Sequence, residues 1–560
     1  MATPITDGNF HAACALWVSN EPSAITIYGN IIGWDTSSVT NMSYAFFQAN
    51  TFNGDISSWN VSSVTNMSNM FAEASAFNQD IGGWDVSSVT DMESMFALTP
   101  AFNQDISSWV VSNVTTMFSM FRGTALFNKP LNSWNVSSVT NMESMFFDAP
   151  AFNQSLNSWN VSSVNTMKSM FQQANTFNGD ISSWNVSSVT NMESMFNEAN
   201  VFNQPLNSWN VSSVTNMGQM FYGATMFNQD INSWNVSSVI NMEAMFFDAH
   251  AFNQPLNNWV VSSVNTMKSM FTNAYVFNQP LNNWNVSSVN TMESMFYQAN
   301  VFNQSLNSWN VISVTNMESM FQQAGAFNGV ISDWDMTNVT DMSNMFAGAS
   351  AFNQDIGGWD VSSVISMNGV FLNASIFNKP LTNWNISPSS TSNVIVMNDM
   401  FYGAIAFNQD IGGWNTSNVT TMNSMFRGAT IFNQDISDWD VSTVTDMSRM
   451  FNSASAFNQE IRPWAVKQTT IFTQMFKDAT GMISNYGSEP YFGTSPDYTP
   501  TYMFFNYLPP VPPPLNLCYK KLCGVNQKEA PGLSKTLNMN VNKYNGSYNR
   551  ANNTLMMKFN

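Results

Sequence analysis

Charged side chains are scarce in this 560-residue sequence: Asp, Glu, Lys and Arg together make up 9% of it, against roughly a quarter in an ordinary soluble domain. Leucine occurs only 18 times, whereas Phe, Met and Trp occur 45, 41 and 19 times. The apolar content of 44% is ordinary, so Asn, Ser and Thr take the place of the missing charges. A chain this aromatic can bury enough surface to offset its ordering entropy, which argues against disorder.

Long apolar runs and histidines are also lacking. The longer apolar stretches, such as Ala12–Val18, fall far short of the roughly 18 residues that a membrane-spanning helix requires, so we predict no transmembrane segment. The two histidines, His11 and His250, cannot supply a histidine-based catalytic triad or a histidine-rich metal site. The sequence therefore predicts no catalytic residues, no cofactor and no metal.

Only three cysteines are present, and their spacing indicates no metal site. Cys518 and Cys523 form a C-x4-C pair without a second pair, which disfavours zinc and leaves a small disulfide loop or two free thiols. Cys14 is not preceded by a basic segment and an apolar run, as the cleavage site of a signal peptide would be. We interpret Cys14 as a small buried residue.

What the sequence does contain is a repeat. Tryptophan recurs every 25 residues from Trp34 to Trp384 and, after one step of 30 residues, continues at Trp414, Trp439 and Trp464. Eighteen tryptophans are thus in phase and one lies outside the series. Self-similarity at a fixed period of this length predicts a solenoid, a propeller or an array.

The spacing of apolar residues within a single repeat predicts its secondary structure. With positions counted from the tryptophan as zero, the unit starting at Trp59 has Met67, Met70, Phe71 and Ala74 at +8, +11, +12 and +15. This i, i+3, i+4, i+7 spacing is typical of an amphipathic helix. Thr at +6 with Glu at +9, as several units have, has the spacing of a capping box. We expect a two-turn helix at about +7 to +15.

The following segment, FNQDIxxW, is too short for a second helix and predicts a strand. A strand and a short helix cannot bury their apolar faces alone, so neighbouring copies must stack. Parallel strands are joined by right-handed crossovers in nearly all cases. The predicted fold class is an α/β repeat solenoid, a right-handed stack of about 18 coils, each with one short parallel β-strand and a two-turn helix.

Some positions hardly vary between units, which favours a structural role for them. Asn follows Phe at +19 in seventeen consecutive units, and one amide per coil can satisfy backbone groups that stacking would leave unpaired. The Trp, Phe and Met columns are interpreted as stacked core. The residues taken to represent this structural ladder are Trp59, Asn78, Trp84, Asn103, Trp109 and Asn128.

Other positions vary and predict an exposed face. Positions +9, +13, +14 and +16 vary most, and the candidate contact residues are Glu143, Lys168, Glu193 and Lys268. Position +21 begins as Asp55, Asp80 and Asp105 but is then interrupted by Pro and Ser. That pattern indicates a solvated edge rather than a pair of catalytic carboxylates or a calcium site.

The consensus Trp-Asp/Asn-Val-Ser-x-Val-Thr-Asn-Met-x-x-Met-Phe-x-x-Ala-x-x-Phe-Asn-x-Asp-Ile closely resembles the 25-residue repeat of BspA-like surface proteins, which is common in mycoplasma lipoproteins. The resemblance covers about residues 5–480. It implies a leucine-rich-repeat-like solenoid with a role in surface attachment or recognition, and it implies no catalytic residues. Val370 departs from the Met-Phe pair, and five residues are inserted around Pro388.

The decay of the pattern at both ends predicts five regions: an N-terminal cap (1–33), the solenoid (34–480, with a loop inserted near 387–391), a C-terminal cap (481–508), a proline-rich spacer (509–517) and a basic tail (518–560). The tail has a balance of +6, and residues 1–517 hold ten basic and 35 acidic groups, a balance of −25. Such a tail could contact an anionic membrane, nucleic acid or the solenoid, or stay solvated. Few aromatics and no arginine cluster argue against nucleic acid.

These observations favour a non-enzymatic interaction protein, a rigid acidic solenoid for adhesion or for recognition of a protein or glycan at a surface. The alternative is a structural spacer, or a virion or envelope component, anchored through its basic tail. A polysaccharide-active enzyme and an ice-binding protein are weaker alternatives. The resemblance implies a cell-surface or extracellular location, but no signal peptide or lipobox is evident, which leaves a cytoplasmic or virion-associated location open.

Overall fold

The computed structural model describes residues 2–386 and 395–505, together with two short strands near the C-terminus. The chain forms two compact units, Met1–Tyr507 and Leu508–Asn560. The predicted inserted loop, the end of the predicted C-terminal cap and the proline-rich spacer lie outside the described residues. The basic tail also lies outside them, except for the antiparallel strands β3 (Ser547–Asn549) and β4 (Thr554–Met556).

The first unit is a repeat solenoid, which confirms that part of the predicted fold. Successive coils are joined at position +7 by single parallel bridges, beginning with Asn41 to Asn66 and ending with Asp446 to Ile471. Among the coils that the structure describes, one neighbouring pair extends this contact into named strands, β1 (Ile395–Val396) and β2 (Val419–Thr421), which are parallel. The coils therefore stack in register along one continuous line of backbone contacts.

Backbone hydrogen bonds between coils come from alternate residues of one segment. In the unit of Trp59, the N–H groups of Met67, Asn69, Phe71 and Glu73 donate to carbonyl oxygens of the next coil at 2.7–3.0 Å. Between these bonds the chain closes tight turns, in which each donor lies three residues after its acceptor. We call this segment, positions +6 to +15, the turn ribbon. It bonds the coils together as a strand would, although its backbone is not extended.

The predicted two-turn helix is wrong, because the turn ribbon contains left-handed residues. Two positions in each coil, +10 and +14, have positive φ, as at Asn69 (56°) and Glu73 (62°). A right-handed helix cannot include such residues, which cost roughly 1–2 kcal/mol each when they are not glycine. Bonds to the next coil replace the i to i+4 bonds of a helix and offset that cost. In the described part of the repeats, no α-helix lies between one tryptophan and the next.

Two related predictions are also corrected. Thr at +6 does not cap a helix, because the backbone N–H of Thr65 donates to the carbonyl of Thr40 in the previous coil at 2.8 Å, and its hydroxyl is directed to the same oxygen at 3.3 Å. The FNQDIxxW segment is not a strand, since the parallel bridges lie at +7. It contributes the Asn column at +19 instead.

The core is a set of parallel aromatic columns. The Trp84 ring stacks on the Trp59 ring with centroids 6.4 Å apart and planes 1° apart, and Phe71 stacks on Phe77 within its own coil at 3.9 Å. The indole Nε1 of Trp84 donates to the carbonyl of Ile56, 28 residues earlier in the chain, at 3.2 Å. Every tryptophan of the series is at most 4% exposed. Stacking and one hydrogen bond per indole thus join each coil to the next.

Helices cover the first coil of the stack. Helix α1 (Phe10–Ser19) and helix α2 (Glu21–Tyr28) pack on it, with the Trp17 ring edge-on to Trp34 at 5.9 Å. Cys14 is fully buried in α1, and burial raises the pKa of its thiol. This covering protects aromatic rings that an open end of the stack would expose.

Aromatic residues cover the last coil. Helix α3 (Thr480–Tyr486) and the short helix α4 (Tyr502–Phe505) follow the last repeat. The Phe505 ring stacks on Trp464 at 6.3 Å, and Phe492 stacks on Phe476 at 4.9 Å. The aromatic columns therefore continue into the segment that ends them.

The left-handed residues of the turn ribbon give a direct test of its geometry. Asp148 is an exposed residue at position +14 with φ of 51°, and five other coils have glycine at that position. We expect Asp148→Gly to keep or slightly increase the free energy of unfolding and Asp148→Val to lower it by about 1–2 kcal/mol. Denaturant titration followed by far-UV circular dichroism measures both. Equal stability of the two variants would contradict the left-handed geometry.

Candidate functional site

The outward positions of each coil fall into two classes. Most carry Asn, Ser or Thr that bond to backbone, as when the Ser63 hydroxyl donates to the carbonyl of Ser37 in the previous coil at 2.9 Å. The others, +9, +13, +14, +16 and +17, differ from coil to coil. We call these five positions the variable strip. The buried Met, Phe and Ala side chains lie at +8, +11, +12, +15 and +18. Positions +14, +16 and +17 are half-buried or exposed in nearly every coil, whereas +9 and +13 are buried in some coils, as at Ser68 and Ala72, and half-buried in others.

The structure places the four predicted contact residues at position +9 of the variable strip, all half-buried. Lys168 forms an ion pair with Glu193 at 3.2 Å, and Lys268 forms one with Glu293 in the next coil at 2.9 Å. The hydrogen bond that Lys268 donates to Glu293, together with nearby carboxylates, raises the pKa of Lys268. Exposed ion pairs of this kind contribute only about 0–1 kcal/mol. Both lysines are thus engaged by neighbouring glutamates.

Position +17 carries the feature that sequence reasoning missed. Its aliphatic side chains are largely exposed, at 43–58% of their surface: Leu126, Met226, Val276, Val301, Ile376 and Ile431. The signal was present, because this position alternates between Ala, Thr and larger apolar residues. The predicted helix obscured it, since the helix was placed to end at +15.

Position +13 carries aromatic rings, and two of them are covered by arginines. The Arg122 guanidinium lies over the Phe147 ring at 5.1 Å, and Arg427 lies over Tyr402 at 5.0 Å. In each pair the two residues occupy position +13 of adjacent coils. The spacing between coils therefore matches the distance at which a guanidinium stacks on a ring.

The structural-ladder residues lie inside or at the edge of the stack. The Trp59 and Trp84 rings and the Trp109 ring belong to the aromatic column. The Asn103 N–H donates to the Asn78 side-chain oxygen at 2.9 Å, and the Asn128 N–H donates to Asn103 in the same way at 3.1 Å. Their groups are used within the protein, which leaves the variable strip as the candidate site.

The acidic residues at +21 are also used locally. The Asp80 carboxylate accepts from the Gly82 N–H at 2.9 Å, and Asp55 and Asp105 accept from the N–H of Ser57 and Ser107. These bonds lower the pKa of Asp55 and Asp105. Among the described residues, no three His, Cys, Asp or Glu side chains are grouped so as to hold a metal ion.

One carboxylate beside the strip is unfavourably placed. Burial raises the pKa of Asp399, although Arg427 and a hydrogen bond with Ser424 partly oppose this. A carboxylate whose pKa is raised by folding destabilises the protein above that pKa and ceases to do so as pH falls through it. We expect Asp399→Asn to raise the melting temperature at pH 7 and the difference to shrink in acid. Equal melting temperatures at pH 7 would refute this assignment.

Comparisons with known proteins place the chain in a family. Five overlapping segments, 19–132, 119–229, 201–309, 298–391 and 385–488, match the model described as "Mycoplasma protein of unknown function, DUF285". A search of curated proteins finds no match. None of the helices in the described residues has the length and hydropathy of a membrane crossing.

Solved structures with similarity include two bacterial leucine-rich repeat proteins. The one from Bacteroides ovatus is 11% identical with a TM-score of 0.30, and the match covers 67% of this chain and 88% of that chain. The one from Eubacterium ventriosum is 11% identical with a TM-score of 0.27, covering 61% and 84%. TM-scores this low do not support any conclusion about the function of this chain. The family match runs without interruption from residue 19 to residue 488, so the chain belongs to the DUF285 family.

Proposed function

We propose that this chain is a non-enzymatic surface protein whose solenoid recognises a protein or glycan through the variable strip. The observation that carries this proposal is the exposure of large aliphatic side chains along position +17, with Leu126 at 58% and Met226 at 54%. Exposed apolar side chains arranged on one face are a feature of interaction sites. The proposal extends to adhesion and to a cell-surface or extracellular location.

Different positions of each coil have different roles, and this difference supports the proposal. Conserved columns of the repeat bond to the neighbouring coils, so their side chains have little freedom to contact a partner. Side chains of the variable strip also contact neighbouring coils in places, as Lys168 does Glu193, but each coil presents a different set of side chains there. A stack of coils can thus hold many different contact residues at fixed spacing on a rigid support. We also propose right-handed crossovers and about 18 coils, as predicted from the repeat.

The test uses the full chain on an array of glycans and cell-surface proteins. We expect binding to at least one target, and Leu126→Ser with Met226→Ser should weaken it by about tenfold or more, as for interface hot spots. The matched control is Val110→Ser with Val260→Ser, since these valines are 55% and 54% exposed but lie at +1, off the variable strip. Equal losses in both double variants would refute the assignment of the strip.

The alternative is a spacer, or a virion or envelope component, held by its basic tail. The observation that favours it is the charge division between residues 1–517, with a balance of −25, and the tail, with +6. A truncated variant that ends at Tyr507, the last residue of the first unit, distinguishes between the two proposed functions. Loss of surface attachment with an unchanged circular dichroism spectrum favours anchoring, and retained binding favours recognition by the solenoid.

A further inference from the structure

The rings of Tyr222 and Phe247 are paired differently from the two arginine-covered rings at position +13. Like the two arginine–ring pairs, these residues occupy position +13 of adjacent coils. Here two rings stack on each other instead, with centroids 4.4 Å apart and planes 3° apart. Both side chains are half-buried. In the part of the chain that the structure describes, the cations that lie over rings are three arginines, and none of them lies over this pair.

Two carboxylates lie near the Tyr222 ring, at position +14 of the preceding coil and of the coil that contains Phe247. Asp248 and Glu198 both raise the pKa of Tyr222, in addition to the larger effect of burial, because their negative charge disfavours a phenolate. Glu198 accepts a hydrogen bond from Gln173 at 2.9 Å, and Asp248 accepts one from Asn273 at 2.7 Å. Among the described residues, neither carboxylate forms an ion pair with a lysine or arginine.

Neighbouring side chains extend the surface around the ring pair with a histidine and aliphatic groups. His250 lies 3.8 Å from the Asp248 carboxylate and stacks on the Tyr275 ring at 4.8 Å. Met226 and Val276, at the neighbouring position +17, are 54% and 43% exposed. The middle of the variable strip thus combines stacked rings, carboxylates and exposed aliphatic groups.

We infer that the Tyr222–Phe247 ring pair, with Asp248 and Glu198, binds an arginine side chain from an extended segment of a partner protein. The inference rests on the proposed recognition function and narrows it to a protein partner with a basic segment. The chain's own arginines cover two other rings at position +13, Phe147 and Tyr402, so a guanidinium can stack on a ring at this position. Arginine fits better than lysine, because a planar guanidinium stacks on a ring while it bonds to a carboxylate.

The test measures binding of short labelled peptides to the full chain by fluorescence anisotropy. The probes are alternating Arg-Gly, Lys-Gly and citrulline-Gly peptides of equal length; citrulline keeps the shape of arginine without its charge. The test variant is Tyr222→Gln with Phe247→Gln, because Gln occupies +13 in other coils, as at Gln172 and Gln322. The control variant is Phe147→Gln, whose ring is covered by Arg122. None of these changes alters the net charge.

We expect the wild-type chain to bind the arginine peptide most tightly. The double variant should bind that peptide about fivefold more weakly, as the loss of a cation–ring contact predicts. Phe147→Gln should leave the affinity within about twofold. Unchanged affinity in the double variant, or equal binding of the arginine and lysine peptides, would overturn the inference and indicate general attraction to an acidic surface. No binding to the wild-type chain would also overturn it. None of these three outcomes affects the array experiment, which tests the recognition function by itself.

Discussion

Replacing Trp209 by alanine is expected to lower the free energy of unfolding by about 3–5 kcal/mol, the range for large aromatic residues removed from a core. The indole is stacked between Trp184 at 6.1 Å and Trp234 at 6.5 Å. Its Nε1 donates to the carbonyl of Ile181 at 3.2 Å. The substitution therefore removes apolar contact with both neighbouring coils and one of the two hydrogen bonds to the Ile181 carbonyl, which still accepts from the backbone N–H of Trp184 at 3.3 Å.

Trp209→Phe separates these two contributions. Phenylalanine keeps a ring in the column but cannot donate to Ile181, so we expect the lost hydrogen bond to cost about 0.5–1.5 kcal/mol, the net contribution of one such bond. Urea titration followed by far-UV circular dichroism measures both variants. Because each coil contacts only its neighbours, the alanine variant should also broaden the transition as the stack divides at the mutated coil. An alanine variant within 1 kcal/mol of the wild type would contradict the role of the Trp column.

The Asn column predicts the second large effect. The side-chain oxygen of Asn228 accepts from the backbone N–H of Asn253 and from the amide of Gln254, both at 3.0 Å and both in the next coil. Asn228→Ala leaves these donors without that acceptor, and we expect it to lower the free energy of unfolding by about 2–3 kcal/mol. The same denaturant titration measures it.

Asn228→Asp is the matched control, because aspartate keeps an acceptor oxygen at the same place. We expect it to retain most of the stability at neutral pH, with a loss of about 1 kcal/mol or less from the added charge in an acidic protein. If the alanine and aspartate variants lose equal stability, the stabilising effect of the Asn column does not come from its side-chain acceptor oxygen. In that case the uniform presence of Asn at +19 would need a different explanation.

The sequence predicted the stack because its strongest signals are periodic. The 25-residue spacing of tryptophan requires neighbouring coils to stack, and the invariant Asn at +19 is explained by a bond to the next coil, such as that from Asn103 to Asn78. The inward positions were also identifiable from their apolar character. These features depend on the repeat as a whole and not on the local backbone conformation.

The local conformation was mispredicted because two structures share one apolar pattern. Inward side chains at +8, +11, +12 and +15 suit a helix, but they equally suit a ribbon with left-handed residues at +10 and +14. Glycine at +14 in five coils, such as Gly123 with φ of 67°, was the available signal, since glycine disfavours a helix interior and favours positive φ. For the same reason the strand was assigned to the wrong segment.

The variable strip could be predicted only in part. Its positions +9, +13, +14 and +16 follow from variation between units, but which neighbours pair cannot be derived without the distance between coils. That distance decides that Lys168 meets Glu193 and that Arg122 covers Phe147. It also leaves the Tyr222–Phe247 pair without a cation from this chain.

The most direct test of the whole account is a saturation scan of residues 209–233, one complete repeat, with two readouts: protein abundance and binding to the target found on the array. The account predicts that inward positions and +19 reduce abundance when changed, whereas +13, +16 and +17 leave abundance intact and reduce binding. Positions +3 and +4 should have little effect on binding beyond any effect on abundance. A scan in which the variable strip affects binding no more than these positions would contradict the account.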